Sequence, residues 1–323
     1  VNSTSQNVLV IGANGFVGRA VVRHLAAAPG LHPVATARRL PGGAMPGVTW
    51  KLCDATDPAS VAAAAKGCDY AVNCVAGKAE TLLAATRNLC AAAEGAGIRR
   101  IVHLSSMATY GDATGLIEES HKLAEGGGWY TEAKVACEAI MAGFGGERVI
   151  LRPGCIHGPG SDQWTYRIGR LLRQHRIGDL GPAGDGVCNL IPNEDVAAAV
   201  VAALQRPEAA GEAFNLGDPD PGTWNDYFVR FARAIGAVPV TRISARWLKL
   251  EKLLSIPLKA AQIAAGRAKL AALAPEPVPR SLLRLWRQDI QLDHRKADAM
   301  LGFRRTPPDE ALAAAAAWFK TQK

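Results

Sequence analysis

Over the first 150 residues, short uninterrupted apolar runs alternate with stretches at helical spacing, and few folds accommodate that alternation. Strands are expected at 8–11, 34–37, 48–52, 70–75, 101–105 and 148–151, and helices at 16–28, 80–96 and 130–141. Runs such as Val8-Leu9-Val10-Ile11 lack the polar alternation of a half-exposed strand, so both of their faces must be covered. Apolar strands separated by helices therefore predict a parallel sheet with helices on both sides. Right-handed crossovers make it doubly wound.

After Arg152 the pattern loosens. Gly and Pro punctuate 153–160 and 178–186, a helical run follows at 194–205, and one more strand is expected at 213–216. From 223 onward the reading is mainly helical, with basic amphipathic stretches at 245–273 and a proline-rich break at 275–279. The expected fold class is α/β, a Rossmann-type doubly wound parallel sheet with a smaller, mostly helical C-terminal substrate lobe. Residues 1–157 would form the sheet domain, with 187–217 returning to it, and 158–186 and 218–323 would form the lobe.

Composition narrows the function classes. At 49% hydrophobic and 20% charged the chain is an ordinary folded protein, and no apolar run approaches the roughly 20 residues of a membrane span. The polar segment 1–7 passes directly into the first strand, which predicts no signal peptide. Seven scattered cysteines without a C-x-x-C pair argue against a disulfide framework or a zinc site, so a reducing, cytoplasmic setting and no metal are expected. The net charge of +8 comes from the C-terminal third, where 227–323 hold 18 Lys and Arg against 7 Asp and Glu. These cations alternate with Leu, Ile and Ala instead of flanking aromatic platforms, so a solvated helical face is expected and nucleic acid is not. Arg233, Arg242, Arg246 and Lys249 are read in the same way.

Two segments point to a dinucleotide. Gly12-Ala13-Asn14-Gly15-Phe16-Val17-Gly18 follows the first strand and opens the first helix, where glycines permit a tight turn and a pyrophosphate can meet exposed N–H groups. The second strand ends in Arg38-Arg39, where an acidic residue would suit the ribose hydroxyl of NAD and guanidiniums suit the 2′-phosphate of NADP. NADP(H) is therefore expected over NAD(H). Asp54, after the third strand, is assigned to the adenine amino group, and 73–77, including Ala76, should line the cofactor.

Tyr130 and Lys134 stand four residues apart, one helical turn, so phenol and ammonium share a face. A phenol titrating near 10 needs its anion stabilised to act at neutral pH, and a fixed positive charge does that. Tyr110 has Thr114 four residues on, so no ammonium supports it.

With the glycine loop, Val102-His103-Leu104-Ser105-Ser106-Met107-Ala108-Thr109-Tyr110-Gly111, Tyr130-x-x-x-Lys134, Leu151-Arg152-Pro153-Gly154, Asn193-Glu194-Asp195-Val196 and Phe214-Asn215-Leu216-Gly217 in order, the chain resembles the extended short-chain dehydrogenase/reductase superfamily. Its epimerase/dehydratase and 3β-hydroxysteroid dehydrogenase-like branch is the nearest in pattern, over almost the whole chain. The resemblance implies that Ser106 hydrogen-bonds the substrate oxygen and that Tyr130 is the general acid/base. It implies that Lys134 holds the nicotinamide ribose and lowers the Tyr130 pKa, with Pro153 and Gly154 beside the nicotinamide. Relatives often dimerise through the helices corresponding to 81–96 and 130–141, which implies a homodimer.

Departures bear on the substrate. Leu82 stands where relatives often carry Asn or Asp, which puts a proton relay through that position in doubt. Sugar-nucleotide members typically place Arg three residues before the Asp corresponding to Asp289, and here that residue is Trp286, although Arg287 could substitute. Met107, Trp129, Trp164 and Trp286 are assigned to an apolar substrate wall, and His157 to structure. The expected function is NADP(H)-dependent interconversion of a secondary alcohol and a ketone, or reduction of an aldehyde or ketone, on a bulky hydrophobic substrate. Alternatives are a nucleotide-sugar epimerase/dehydratase with tightly bound NAD and a non-catalytic NADPH-binding module.

Overall fold

The computed structural model describes residues 5–43, 45–248, 250, 253 and 278–322. Lys249 and most of the stretch 245–279, with its expected basic helices and proline break, lie outside them.

The described strands are β1 (Gln6–Ile11), β2 (Leu31–Ala37), β3 (Thr49–Leu52), β4 (Tyr70–Asn73), β5 (Arg100–Leu104), β6 (Gly115–Ile117), β7 (Glu147–Pro153), β8 (Cys155–His157), β9 (Leu190–Pro192), β10 (Ala213–Leu216) and β11 (Ile290–Leu292). Seven of them form one parallel sheet in the order β10-β7-β5-β4-β1-β2-β3. The direction of winding reverses between β1 and β4, which opens a crevice beyond their C-terminal ends. The expected doubly wound fold is present. Two short parallel pairs, β6 with β11 and β8 with β9, lie outside this sheet.

Helices α1 (Phe16–Ala27) and α6 (Asn193–Gln205) pack together on one face of the sheet, over a core that includes Val8, Val10, Val102 and Leu151. Helices α2 (Pro58–Ala65), α3 (Ala79–Ala96) and α4 (Trp129–Ala142) cover the opposite face, over Leu9, Ile11, Ile101 and Ile150. Alternate residues of one strand thus feed different cores, which is why the strands read as unbroken apolar runs.

A third core gathers α5 (Arg167–Arg173), α7 (Trp224–Ile235), α8 (Arg280–Leu285) and α10 (Pro308–Thr321), while α9 (Arg295–Leu301) packs on the sheet side against β10 and α6. Trp224, Phe228, Phe231, Trp286 and Phe319 fill this third core. Among the described residues no helix is long and apolar enough to cross a membrane, no group of His, Cys, Asp and Glu converges as a metal site, and all seven cysteines are free and buried.

Candidate active site

The turn after β1 is shaped by two glycines. Gly12 has φ +76°, and a Cβ there would meet the Cys74 carbonyl carbon and oxygen at 2.8 Å. A Cβ on Gly18 would stand 2.2 Å from the Gly12 oxygen, so the helix could not close on the loop with any larger residue. Gly15 is the N-cap of α1, and no side chain caps that end. Asn14 turns instead to Arg19, whose Nε and Nη2 donate to its Oδ1 at 3.1 and 2.8 Å. The free N–H groups of the first turn and the positive end of the helix are therefore left for an anion. Phe16 is held from outside, its carbonyl accepting from Asn193 Nδ2 at 3.1 Å, while Val17 packs against the core below.

Arg38 and Arg39 follow β2 and are both exposed. Asp54 lies near Arg38, and its Oδ1 accepts from Thr56 N at 2.9 Å and Thr56 Oγ1 at 2.7 Å. Those bonds first, and Arg38 last, hold its carboxyl below the usual range, so it stays an acceptor. Ala76 is exposed in the loop after β4, and Pro153 and Gly154 connect β7 to β8. A Cβ on Gly154 would fall 2.2 Å from the Asn189 oxygen. An uncapped helix start behind a glycine cradle, two exposed guanidiniums and an acceptor beyond the next strand fit a dinucleotide.

Ser106 and Tyr130 reach each other from different elements. Ser106 caps the short helical turn after β5, where its Oγ accepts from Ala108 N at 3.1 Å, and its hydroxyl lies near enough to Tyr130 to act on the phenol's titration. Tyr130 stands in the first turn of α4, and Lys134 comes one turn later, only 5% exposed. Lys134 Nζ donates to the Leu104 carbonyl at 2.7 Å and lies 6.0 Å from the centre of the Tyr130 ring.

The expected lowering of the Tyr130 pKa is not what this geometry gives. Burial raises it, and the neighbouring Ser106 hydroxyl opposes that, while the Lys134 ammonium is bonded to the Leu104 carbonyl. Lys134 is itself pushed down, by burial first, against the opposing pull of Cys137 and Glu138.

Behind this trio lies a buried polar network absent from the sequence reading. Arg152 on β7 donates through Nη2 to Glu138 Oε2 at 2.7 Å and through Nε to Oε1 at 3.1 Å. Ser105 Oγ donates to the same Oε1 at 2.5 Å. Arg152 Nη1 donates to the Tyr110 hydroxyl at 2.8 Å, which donates on to Asn215 Oδ1 at 2.6 Å. Tyr110 is thereby a structural residue. The available signal was Glu138 four residues beyond Lys134, on the same helical face.

The sequence pattern of the NAD dependent epimerase/dehydratase family matches residues 8–217, from the first strand through β10. The chain belongs to this NAD dependent epimerase/dehydratase family. No curated protein matches it. Among solved structures, a Burkholderia cenocepacia J2315 protein superposes with a TM-score of 0.75 at 22% identity, covering 99% of both chains. MoeE5 in complex with UDP-glucuronic acid and NAD gives 0.73 at 23% identity, covering 97% of this chain and 98% of its own. UDP-glucuronic acid 4-epimerase from Bacillus cereus in complex with NAD gives 0.74 at 16%, covering 98% and 97%. At these identities the likeness is one of fold.

On the substrate side, the four expected wall residues of this epimerase-family chain separate. Trp129 is 59% exposed beside Tyr130, with ring centres 5.5 Å apart at 75°. Trp164 is partly buried against the third core, 5.5 Å from the Trp224 ring, and Met107 is buried in that core. Trp286 is wholly buried, packed on Phe228 at 5.1 Å and Trp224 at 6.5 Å, which corrects its assignment to the substrate wall. Leu82 is buried with Ala133 and Cys137. Thr86 next to it takes a hydrogen bond from Asn73 Nδ2 at 3.2 Å and returns its own to the Leu82 carbonyl at 2.8 Å.

Proposed function

We propose that the chain is an NAD(P)-dependent enzyme that oxidises and reduces a secondary carbinol carbon, with the cofactor retained through the cycle as in epimerases and dehydratases of nucleotide sugars. The observation that carries this is the proximity of the Ser106 and Tyr130 side chains, with Lys134 one turn behind. In this reading Gly12, Asn14, Gly15, Phe16, Val17 and Gly18 hold the pyrophosphate, Arg38, Arg39 and Asp54 the adenosine, and Ala76, Pro153, Gly154, Tyr130 and Lys134 the nicotinamide half. The cofactor domain is 1–157 with 187–217, and the substrate lobe is 158–186 with 218–323.

Bound NAD(P) supplies the hydride acceptor. The chain's residues handle the proton: Tyr130 takes it from the substrate hydroxyl, Ser106 donates to the same oxygen as it becomes a carbonyl, and both act in reverse on return. Lys134 has two N–H groups beyond the one given to Leu104, enough for a ribose diol.

A second reading keeps the same chemistry with net turnover of NADP(H) on a bulky apolar ketone or alcohol. Two observations favour it: Arg38-Arg39 at the end of β2, and Trp286 in the core three residues before Asp289. The purified protein is to be denatured and its released nucleotide identified, and then tested on UDP-glucose and UDP-glucuronic acid by chromatography. Steroid, terpenoid and aryl carbonyls are tested in parallel by NADPH absorbance. Retained NAD with sugar conversion supports the first reading, and NADPH consumption the second. Cofactor that binds without turnover on either panel would make the chain a binding module. Tyr130→Phe should abolish turnover in both and leave cofactor binding within about threefold; near-normal turnover in that variant refutes the assignment of Tyr130.

A further inference from the structure

Arg19 lies outside the glycine motif, yet the fold turns it toward the cofactor crevice. It is the fourth residue of α1, and helical side chains lean toward the N-terminus of their helix. Its guanidinium accordingly reaches back to the glycine loop, donating to Asn14 Oδ1 through Nε at 3.1 Å and Nη2 at 2.8 Å. We propose that Arg19 is a third guanidinium, with Arg38 and Arg39, for the 2′-phosphate of NADP(H), and that Asn14 positions it. The inference rests on the reading that puts Arg38 and Arg39 on the adenosine.

The flank of α1 on which Arg19 sits decides which part of the cofactor it faces. His24 and Ala28 line a groove against α6, and they stand about 140° and 180° round the helix from Arg19. Helix α6 packs on β5 and β7, whereas α1 packs on β1 and β2, so the flank away from α6 is the one over β2. Strands β1 and β2 pair in parallel, with Val10 beside Ala35, so their C-terminal ends open at one level. Arg38 and Arg39 leave that end of β2. Arg19 therefore stands at the corner between the glycine loop and the two arginines, on the adenosine side of the crevice. Tyr130, Pro153 and Gly154 lie on the other side, beyond β4 and β5.

The charge of Arg19 is oriented without being neutralised. Asn14 is a neutral acceptor, and no carboxylate pairs with Arg19 among the described residues, whereas Arg23 one turn on is paired with Glu194 at 2.6 Å. Two of the five N–H groups of Arg19 are used on Asn14, which leaves three for a ligand. Arg19, Arg38 and Arg39 are all exposed. A ribose hydroxyl has no need of so much positive charge, and a phosphate dianion does.

The test is fluorescence titration of the full chain with NADPH and NADH, which differ only in the 2′-phosphate. The wild type is expected to prefer NADPH, Arg19→Gln to weaken NADPH about tenfold while leaving NADH within about twofold, and Arg23→Gln to change neither. Unchanged NADH affinity in Arg19→Gln also shows that the variant is folded. Asn14→Ala should lower the NADPH preference of the wild type and have no further effect on it in the Arg19→Gln background. Equal losses for the two nucleotides in Arg19→Gln, or an unchanged NADPH affinity, would overturn the role of Arg19 and leave that of Arg38 and Arg39 standing. A further loss of preference on adding Asn14→Ala would overturn the positioning role of Asn14. A wild type without any preference for NADPH would overturn the proposal together with the phosphate role of Arg38 and Arg39.

Discussion

Acid should destabilise this protein through two histidines, by an amount their burial fixes. His103 is 2% exposed on β5, neither ring nitrogen has a partner, and burial first and the Lys134 charge second push its pKa down to about 3. His157 is pushed down to about 4 by burial alone. Both are neutral when folded, whereas in the unfolded chain each titrates near 6.5. A depressed folded pKa means that the stability is fully present above 6.5 and is lost as pH falls from there toward 4 and 3. At pH 5.5 each unfolded histidine holds about 0.9 proton and each folded one close to none, so relative to pH 7.5 each costs about 1.4 kcal/mol and the pair about 2.7 kcal/mol.

Urea unfolding at pH 7.5 and 5.5 measures the loss, and comparison with His103→Asn/His157→Asn isolates the histidine share from that of the carboxylates. The double variant starts less stable, but its loss over the same interval should be smaller by about 2.7 kcal/mol. An identical loss in both proteins would refute the reasoning, because it would mean that the imidazoles take up protons in the folded state.

Gly18→Ala should weaken NAD binding about 100-fold or more and lower thermal stability, because the new Cβ meets the Gly12 oxygen at 2.2 Å, whereas Gly95→Ala, with open space around it, should do neither. Arg38→Ser/Arg39→Ser should cost affinity for NADPH about tenfold and leave NADH unchanged by fluorescence titration; equal effects on both would remove the phosphate role of these arginines. Glu138→Gln should cost about 3–5 kcal/mol in urea unfolding by stranding the Arg152 guanidinium, and Glu138→Met/Arg152→Met should recover more than half of it.

The sheet was legible because its strands are covered on both faces, so apolar runs at 8–11 and 101–105 needed no partner to declare themselves. Helix α2 was not: Pro58–Ala65 is mostly alanine, without an amphipathic period, and its signals are confined to its start, Asp57 capping Ala59 N and Pro58 in the first turn. The pairs β6 with β11 and β8 with β9 are three residues each, too short for periodicity, and the first joins segments more than 170 residues apart. Trp286 was misplaced because its position against Asp289 was weighed and its helical neighbours were not. Leu282 and Leu283, four and three residues earlier, share its face and are buried with it.

The Tyr130-Lys134 spacing places phenol and ammonium on one face, but spacing alone does not say where that face points. The Glu138–Arg152 ion pair does. It ties the third turn of α4 to β7 and, through Ser105, to the end of β5, one residue before Ser106. Sliding α4 by a single residue would rotate Glu138 about 100° away from Arg152 and strand both charges in a buried site. Lys134, one turn earlier on the same face, is fixed by the same register against the Leu104 carbonyl, and Tyr130 one turn before that against Ser106. Isolated buried ion pairs contribute little net stability, so the larger effect of this one is to fix a single register of helix on sheet, on which the placing of Tyr130 beside Ser106 depends.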